Sequence, residues 1–131
     1  MQNGLRKRVY DMKPTELRTG NLVMYNDKVV KVEQITKHKI GYHTEPNETR
    51  MNYARLCEIE PIPITEEWLT RCGFGSWDKI FYKDGFECAR DGDKWCMSCN
   101  CFEYYLARLN GIHQLQNAYQ LVTGKELEIK I

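Results

Sequence analysis

Residue pairs that make a chain reverse recur along this sequence, each beside short runs of β-branched or aromatic residues. Asn26-Asp27 follows Leu22-Val23-Met24-Tyr25, Asp84-Gly85 separates residues 79–83 from 86–90, and Asp91-Gly92 precedes residues 94–99. Asn, Asp and Gly tolerate the left-handed backbone of a two-residue hairpin turn, so this punctuation commits much of the chain to antiparallel hairpins.

In the first half, residues 22–25, 29–36, 39–44 and 53–64 read as short strands, and Glu45-Pro46-Asn47-Glu48 reads as a loop. Pro61 and Pro63 have no N–H to give a ladder, so the last of these strands is expected at an edge or to end early. Several short strands in about 50 residues predict a small closed or half-closed barrel of the Src-homology-three (SH3-like) type over residues 14–64, because an open sheet of that size leaves its edges bare. Residues 1–13 form an extension ahead of it.

Thr65 is placed to cap a short helix carrying Trp68, Leu69 and Cys72 on one face, with Gly73 as its left-handed stop. A meander follows, with a further strand expected over 102–109. Asn110 is expected to cap a helix in which Ile112, Leu115, Ala118, Tyr119 and Val122 share a face and Gly124 ends the run. Leu127, Ile129 and Ile131 alternate with charge as a final strand. The expected fold class is therefore α+β: the small barrel, then over 65–131 an antiparallel sheet with one packed amphipathic helix, forming one compact unit with the barrel.

The chain has 131 residues, with 42% hydrophobic and 28% charged residues, an ordinary globular composition. It contains no apolar run of spanning length, and residues 1–13 lack the apolar stretch of a secretory signal. A formal charge of +1, spread evenly over both halves, argues against nonspecific nucleic-acid binding. Without an export signal, the six cysteines (Cys57, Cys72, Cys88, Cys96, Cys99 and Cys101) are expected to be thiols in a reducing cytoplasm.

Three groups of residues could carry chemistry. Cys96-Met97-Ser98-Cys99-Asn100-Cys101 supplies one C-x-x-C spacing without a second knuckle, so small thiols lining a strand are favoured over a zinc site and no metal is assigned. His38 and His43 fall in a polar, lysine-bearing hairpin, where a solvated role is expected. No nucleophile motif, phosphate-binding glycine loop or paired-histidine spacing is present, so no catalytic residue or cofactor is assigned. The last helix carries His113, Gln116, Asn117 and Gln120 opposite its apolar face, a stripe of neutral hydrogen-bonding groups where Lys and Glu are more usual. Such groups can hold a ligand, or satisfy backbone groups inside the fold. Arg6-Lys7-Arg8 and Lys13 form a basic start that reads as a solvated tail.

Three segments carry a resemblance. Residues 12–23, from Met12-Lys13-Pro14-Thr15-Glu16-Leu17 to Leu22-Val23, resemble the opening of a family of short proteins from Bacteroidota phages and prophages. Residues 62–69, with Gly73-Phe74 just after, are similar to its middle, and residues 112–127 to its ending. The eleven residues before Met12 and the cysteine cluster depart from that pattern. The resemblance implies an accessory role in the cytoplasm of a bacterial host cell, and transfers no activity. The favoured reading is a non-catalytic binding protein, acting in counter-defence by sequestering a nucleotide immune signal, with the helix stripe of His113, Gln116, Asn117 and Gln120 as its expected ligand site. The alternative is an adaptor that binds a host protein or nucleic acid through the barrel loops, and third comes a zinc-stabilised protein or an unadvertised enzyme. The expected partner is a small nucleotide-like ligand or a host protein, with self-association compatible and no membrane involved.

Overall fold

A computed structural model of the chain describes residues 12–99 and 107–130, and the account below is of those residues. The chain divides into two units, Met1–Pro61 and Ile62–Ile131. Ile62 and Ile64, which the strand pattern assigned to the end of the first unit, therefore belong to the second. Among the described residues there are eleven strands in three antiparallel sheets and two α-helices, an α+β fold.

In the first unit, β1 (Leu22–Tyr25) and β2 (Lys28–Lys31) form a hairpin whose turn residues, Asn26 and Asp27, lie at φ +50° and +62°. Both central residues are left-handed, as a tight hairpin turn needs, which explains the Asn-Asp pair. A second sheet consists of β3 (Gln34–Ile35), β4 (Lys39–Tyr42) and β5 (Asn52–Arg55), and β6 (Ile59–Glu60) returns to pair with β1. The run read as one strand over 29–36 changes sheets midway. Val32 N–H donates to Asn21 in the first ladder, and Glu33 N–H to Gly41 in the second. Such a corner lets two small sheets share one core. That core gathers Met12, Leu17, Val23, Val30, Val32, Ile40, Tyr42, Ala54, Leu56 and Ile59.

The two sheets, β2-β1-β6 and β3-β4-β5, are not joined into a closed barrel among the described residues. The strand expected over 53–64 breaks at a 3-10 turn, Leu56–Glu58, and β6 is only two residues long before Pro61. With so short a closing strand, no ladder runs round from one sheet to the other.

In the second unit, Trp68 N–H donates to Thr65 Oγ1 (3.2 Å), capping α1 (Glu66–Arg71), and Gly73 follows at φ +84°. The five strands β7 (Gly75–Trp77), β8 (Ile80–Lys83), β9 (Phe86–Asp91), β10 (Lys94–Cys99) and β11 (Ala107–Leu109) form an antiparallel meander in the order β11-β10-β9-β8-β7. The β7–β8 hairpin was not foreseen. Its turn is Asp78-Lys79, at φ +50° and +68°, and Lys is not a residue that announces a left-handed turn. Most of the strand expected over 102–109 lies outside the described residues, as do Asn100 and Cys101.

α2 (Ile112–Thr123) packs on β9 and β11 and stops at Gly124, φ +75°. Its cap is Gly111, not Asn110, and the Asn110 backbone N–H donates to Gln114 Oε1 (2.8 Å). Residues 125–130 form no strand. Leu127 is buried, and Lys130 N–H donates to the carbonyl of Arg71, the last residue of α1 (3.0 Å).

Candidate functional site

The helix stripe takes a different place from the one expected. His113 and Gln116 are buried, at 0% and 7% exposure, while Asn117 and Gln120 are half-buried. Val122, expected in the core, is exposed at 37%, whereas Ile112, Leu115 and Tyr119 are buried as the periodicity requires. At about 100° per residue, Gln116 projects about 40° from Ile112, so a modest rotation of the helix brings it inside. That rotation follows from cover on more than one side: α2 lies on β9 and β11, and its first N–H donates to the Ile62 carbonyl (2.9 Å). The four residues therefore do not share one open face. His113 and Gln116 are interior polar groups.

The second unit also holds a polar cluster at the β8–β9 turn. Tyr119 donates a short hydrogen bond to the Asp84 carboxylate, and Lys125 Nζ lies 3.8 Å from the same group. Lys83 donates to the Cys72 carbonyl (2.9 Å) and approaches the Tyr119 ring. The hydrogen bond from Tyr119 holds the Asp84 carboxyl below its ordinary value, and burial, with Asp84 beside it, pushes the Tyr119 hydroxyl up to about 12. Every partner here belongs to the fold. The cluster pins the hairpin to the helix.

A more open arrangement lies in the first unit. Residues Met12, Lys37, His38, Arg55, Leu56 and Cys57 line a hollow of about 660 Å³, within the usual range for small-molecule sites. Local structure explains how they meet. The Lys37-His38 turn is closed by Thr36, whose N–H donates to the Lys39 carbonyl and whose Oγ1 accepts from Lys39 N–H. Leu56 N–H donates to the His38 carbonyl (2.8 Å), which fastens the end of β5 to that turn. Pairing in register sets Arg55 directly opposite Lys39. Their charged ends turn to different partners. Lys39 places its ammonium 4.3 Å from the centre of the exposed Tyr53 ring, and Arg55 turns to Glu58.

The lining residues thus include exposed Lys37, His38 and Arg55, buried Met12 and Leu56, and an exposed thiol, Cys57. No carboxylate is among the lining residues. Glu58 stands beside it: its Oε1 accepts the Arg55 backbone N–H (3.1 Å), and its Oε2 accepts from Arg55 Nη2 (3.3 Å). At the far end of the same sheet the charge reverses, with His43 Nδ1 2.7 Å from Glu33 and Glu48 bonded to Thr44 and Asn52. His38 and His43, read alike from sequence, thus have separate surroundings. Sequence reasoning missed this site because Arg55 is sixteen residues from Lys39, and only the strand register brings them together. The Lys37-His38-Lys39 run was the available signal.

Among the described residues, no group of three or more His, Cys, Asp or Glu gathers as metal ligands. Cys101 and the side chain of Cys99 lie outside that description. No helix is long and apolar enough to cross a membrane. Comparison with family models, curated proteins and solved structures gives no significant match.

Proposed function

We propose that this protein is a non-catalytic accessory binding protein of a phage or prophage, which holds a small nucleotide-like ligand in the cytoplasm of its bacterial host. The observation that carries the reading is the hollow of the first unit, which Lys37, His38 and Arg55 line together with Met12 and Leu56. A nucleotide has the matching two-part chemistry: an anionic end for the basic rim and a ring with apolar faces for Met12 and Leu56. The ligand site is moved by this reading from the α2 stripe to the hollow, because two of the four stripe residues are interior. The first unit is taken as a half-closed barrel of SH3-like type, supported by the strand that changes sheets at Val32-Glu33 and by the single shared core.

Native mass spectrometry of the protein purified from infected bacteria tests the proposal, reporting bound mass and subunit count together. The expected result is one ligand of nucleotide mass per chain. Copurification of a host protein with no small ligand would overturn it and favour the adaptor. An adaptor would have a further surface outside the barrel loops, since Trp77 (74% exposed) and Tyr82 lie on one face of the β7–β8 hairpin in the second unit.

A further inference from the structure

The proposed ligand site has one basic group already engaged by an anion of the protein itself. Arg55 and Glu58 are three residues apart, bridged by the 3-10 turn, and Glu58 meets Arg55 through both backbone and side chain. The two contacts have different roles. The bond from the Arg55 N–H to Oε1 closes the turn. The contact from Nη2 to Oε2 is longer, 3.3 Å, between side chains that are 72% and 41% exposed. An ion pair this exposed adds little to stability. Its geometric effect is larger, because it draws the guanidinium towards Glu58 at the margin of a hollow whose other polar lining groups are Lys37 and His38.

We infer that the hollow is a phosphate-binding site in which Glu58 acts as a built-in competitor: the ligand's phosphate replaces the Glu58 carboxylate at the Arg55 guanidinium, joining Lys37 and His38. The inference rests on the binding role proposed above and specifies its chemistry. A guanidinium presents paired N–H donors that match two oxygens of either a carboxylate or a phosphate, so the exchange keeps Arg55 satisfied before and after binding. The turn survives the exchange, because Oε1 can keep the Arg55 N–H while Oε2 is released. No covalent step is involved.

Titration calorimetry of the full chain with inorganic pyrophosphate, with adenosine and ADP as comparison arms, tests this. Glu58→Gln keeps a carbonyl oxygen for the Arg55 N–H but removes the competing charge. It is expected to tighten pyrophosphate about two- to fivefold, the scale of an exposed ion pair. Arg55→Ala and, independently, Lys37→Ala are expected to weaken it about tenfold or more, since each removes a charged donor. Both positions are exposed, so both variants should keep the far-ultraviolet circular dichroism of the parent. In the Arg55→Ala background, Glu58→Gln should bring no gain. Pyrophosphate failing to bind both the parent and Glu58→Gln would overturn the inference, as would a gain that persists without Arg55. If ADP binds but is indifferent to Glu58→Gln, the competitor falls and the nucleotide-binding role stands. If pyrophosphate behaves as expected while ADP and adenosine do not bind, the anion site stands and the nucleotide falls.

Discussion

Four described cysteines fall into two kinds, and the difference is environment. Burial pushes the Cys72 thiol up to about 11, with Lys83 pulling the other way, and burial together with the neighbouring Cys72 pushes Cys88 up to about 12. Both are enclosed by the core of the second unit, at 0% exposure. Cys57 is exposed at the rim of a basic hollow, and Cys96 is half-buried. Of these four, exposed Cys57 should be alkylated by iodoacetamide first at pH 7.5, and Cys72 and Cys88, enclosed and held as thiols, only after denaturant is added. Peptide mass mapping over a time course checks the order. Early labelling of Cys72 or Cys88 would show that the native core opens on that timescale.

At the scale of elements, α2 illustrates how a face pattern differs from a buried surface. Leu121 is 83% exposed, whereas His113 is fully enclosed. Truncation should expose that inversion. His113→Ala leaves a cavity and removes a buried polar group from its surroundings, and is expected to lower stability by about 2–4 kcal/mol. Asn117→Ala, at a half-buried position, is expected to cost about 1 kcal/mol or less. Chemical denaturation of the two variants measures both, and equal costs would contradict the described packing.

The Tyr119–Asp84 contact joins α2 to the β8–β9 turn and makes the junction sensitive to pH at both extremes. Asp84 has its folded value depressed, so its contribution is present above the ordinary 3.8 and is lost as pH falls below it. Tyr119 has its folded value raised, so its contribution is present below 10.0 and is lost as pH climbs towards about 12. The melting-temperature gap between the parent and Tyr119→Phe should therefore be widest between these limits and shrink outside both. A gap independent of pH from 3 to 7 would remove Asp84 from the explanation.

For the whole molecule, each unit has a core of its own. The second unit contains both α-helices, the five-stranded sheet and the ring cluster of Phe74, Phe86 and Tyr119, with centroids 5.8 to 6.3 Å apart. Residues 62–131 expressed alone are therefore expected to unfold cooperatively on heating, with the near-ultraviolet signal of packed aromatic rings. The first unit, about 50 described residues, sits near the lower size limit for a stable core and should be much less stable when isolated. A broad, non-cooperative melt from the 62–131 fragment would show that the second unit depends on the first.

Local chemistry alone determined the hairpins at Asn26-Asp27 and Asp84-Gly85, the Thr65 cap, the Gly73 and Gly124 stops and the α+β class. Each depends on backbone preferences of one or two adjacent residues, which are the same in any chain. The Asp78-Lys79 turn escaped because only Asp78 of the pair favours a positive φ, and Lys79 takes one where β7 and β8 pair on either side. Tertiary structure alone decided which side of α2 is buried, because that depends on what lies against the helix and from how many directions. It also decided that Lys37, His38 and Arg55 share a hollow, since a ladder register is set by the packing of whole strands and can unite residues far apart in the chain.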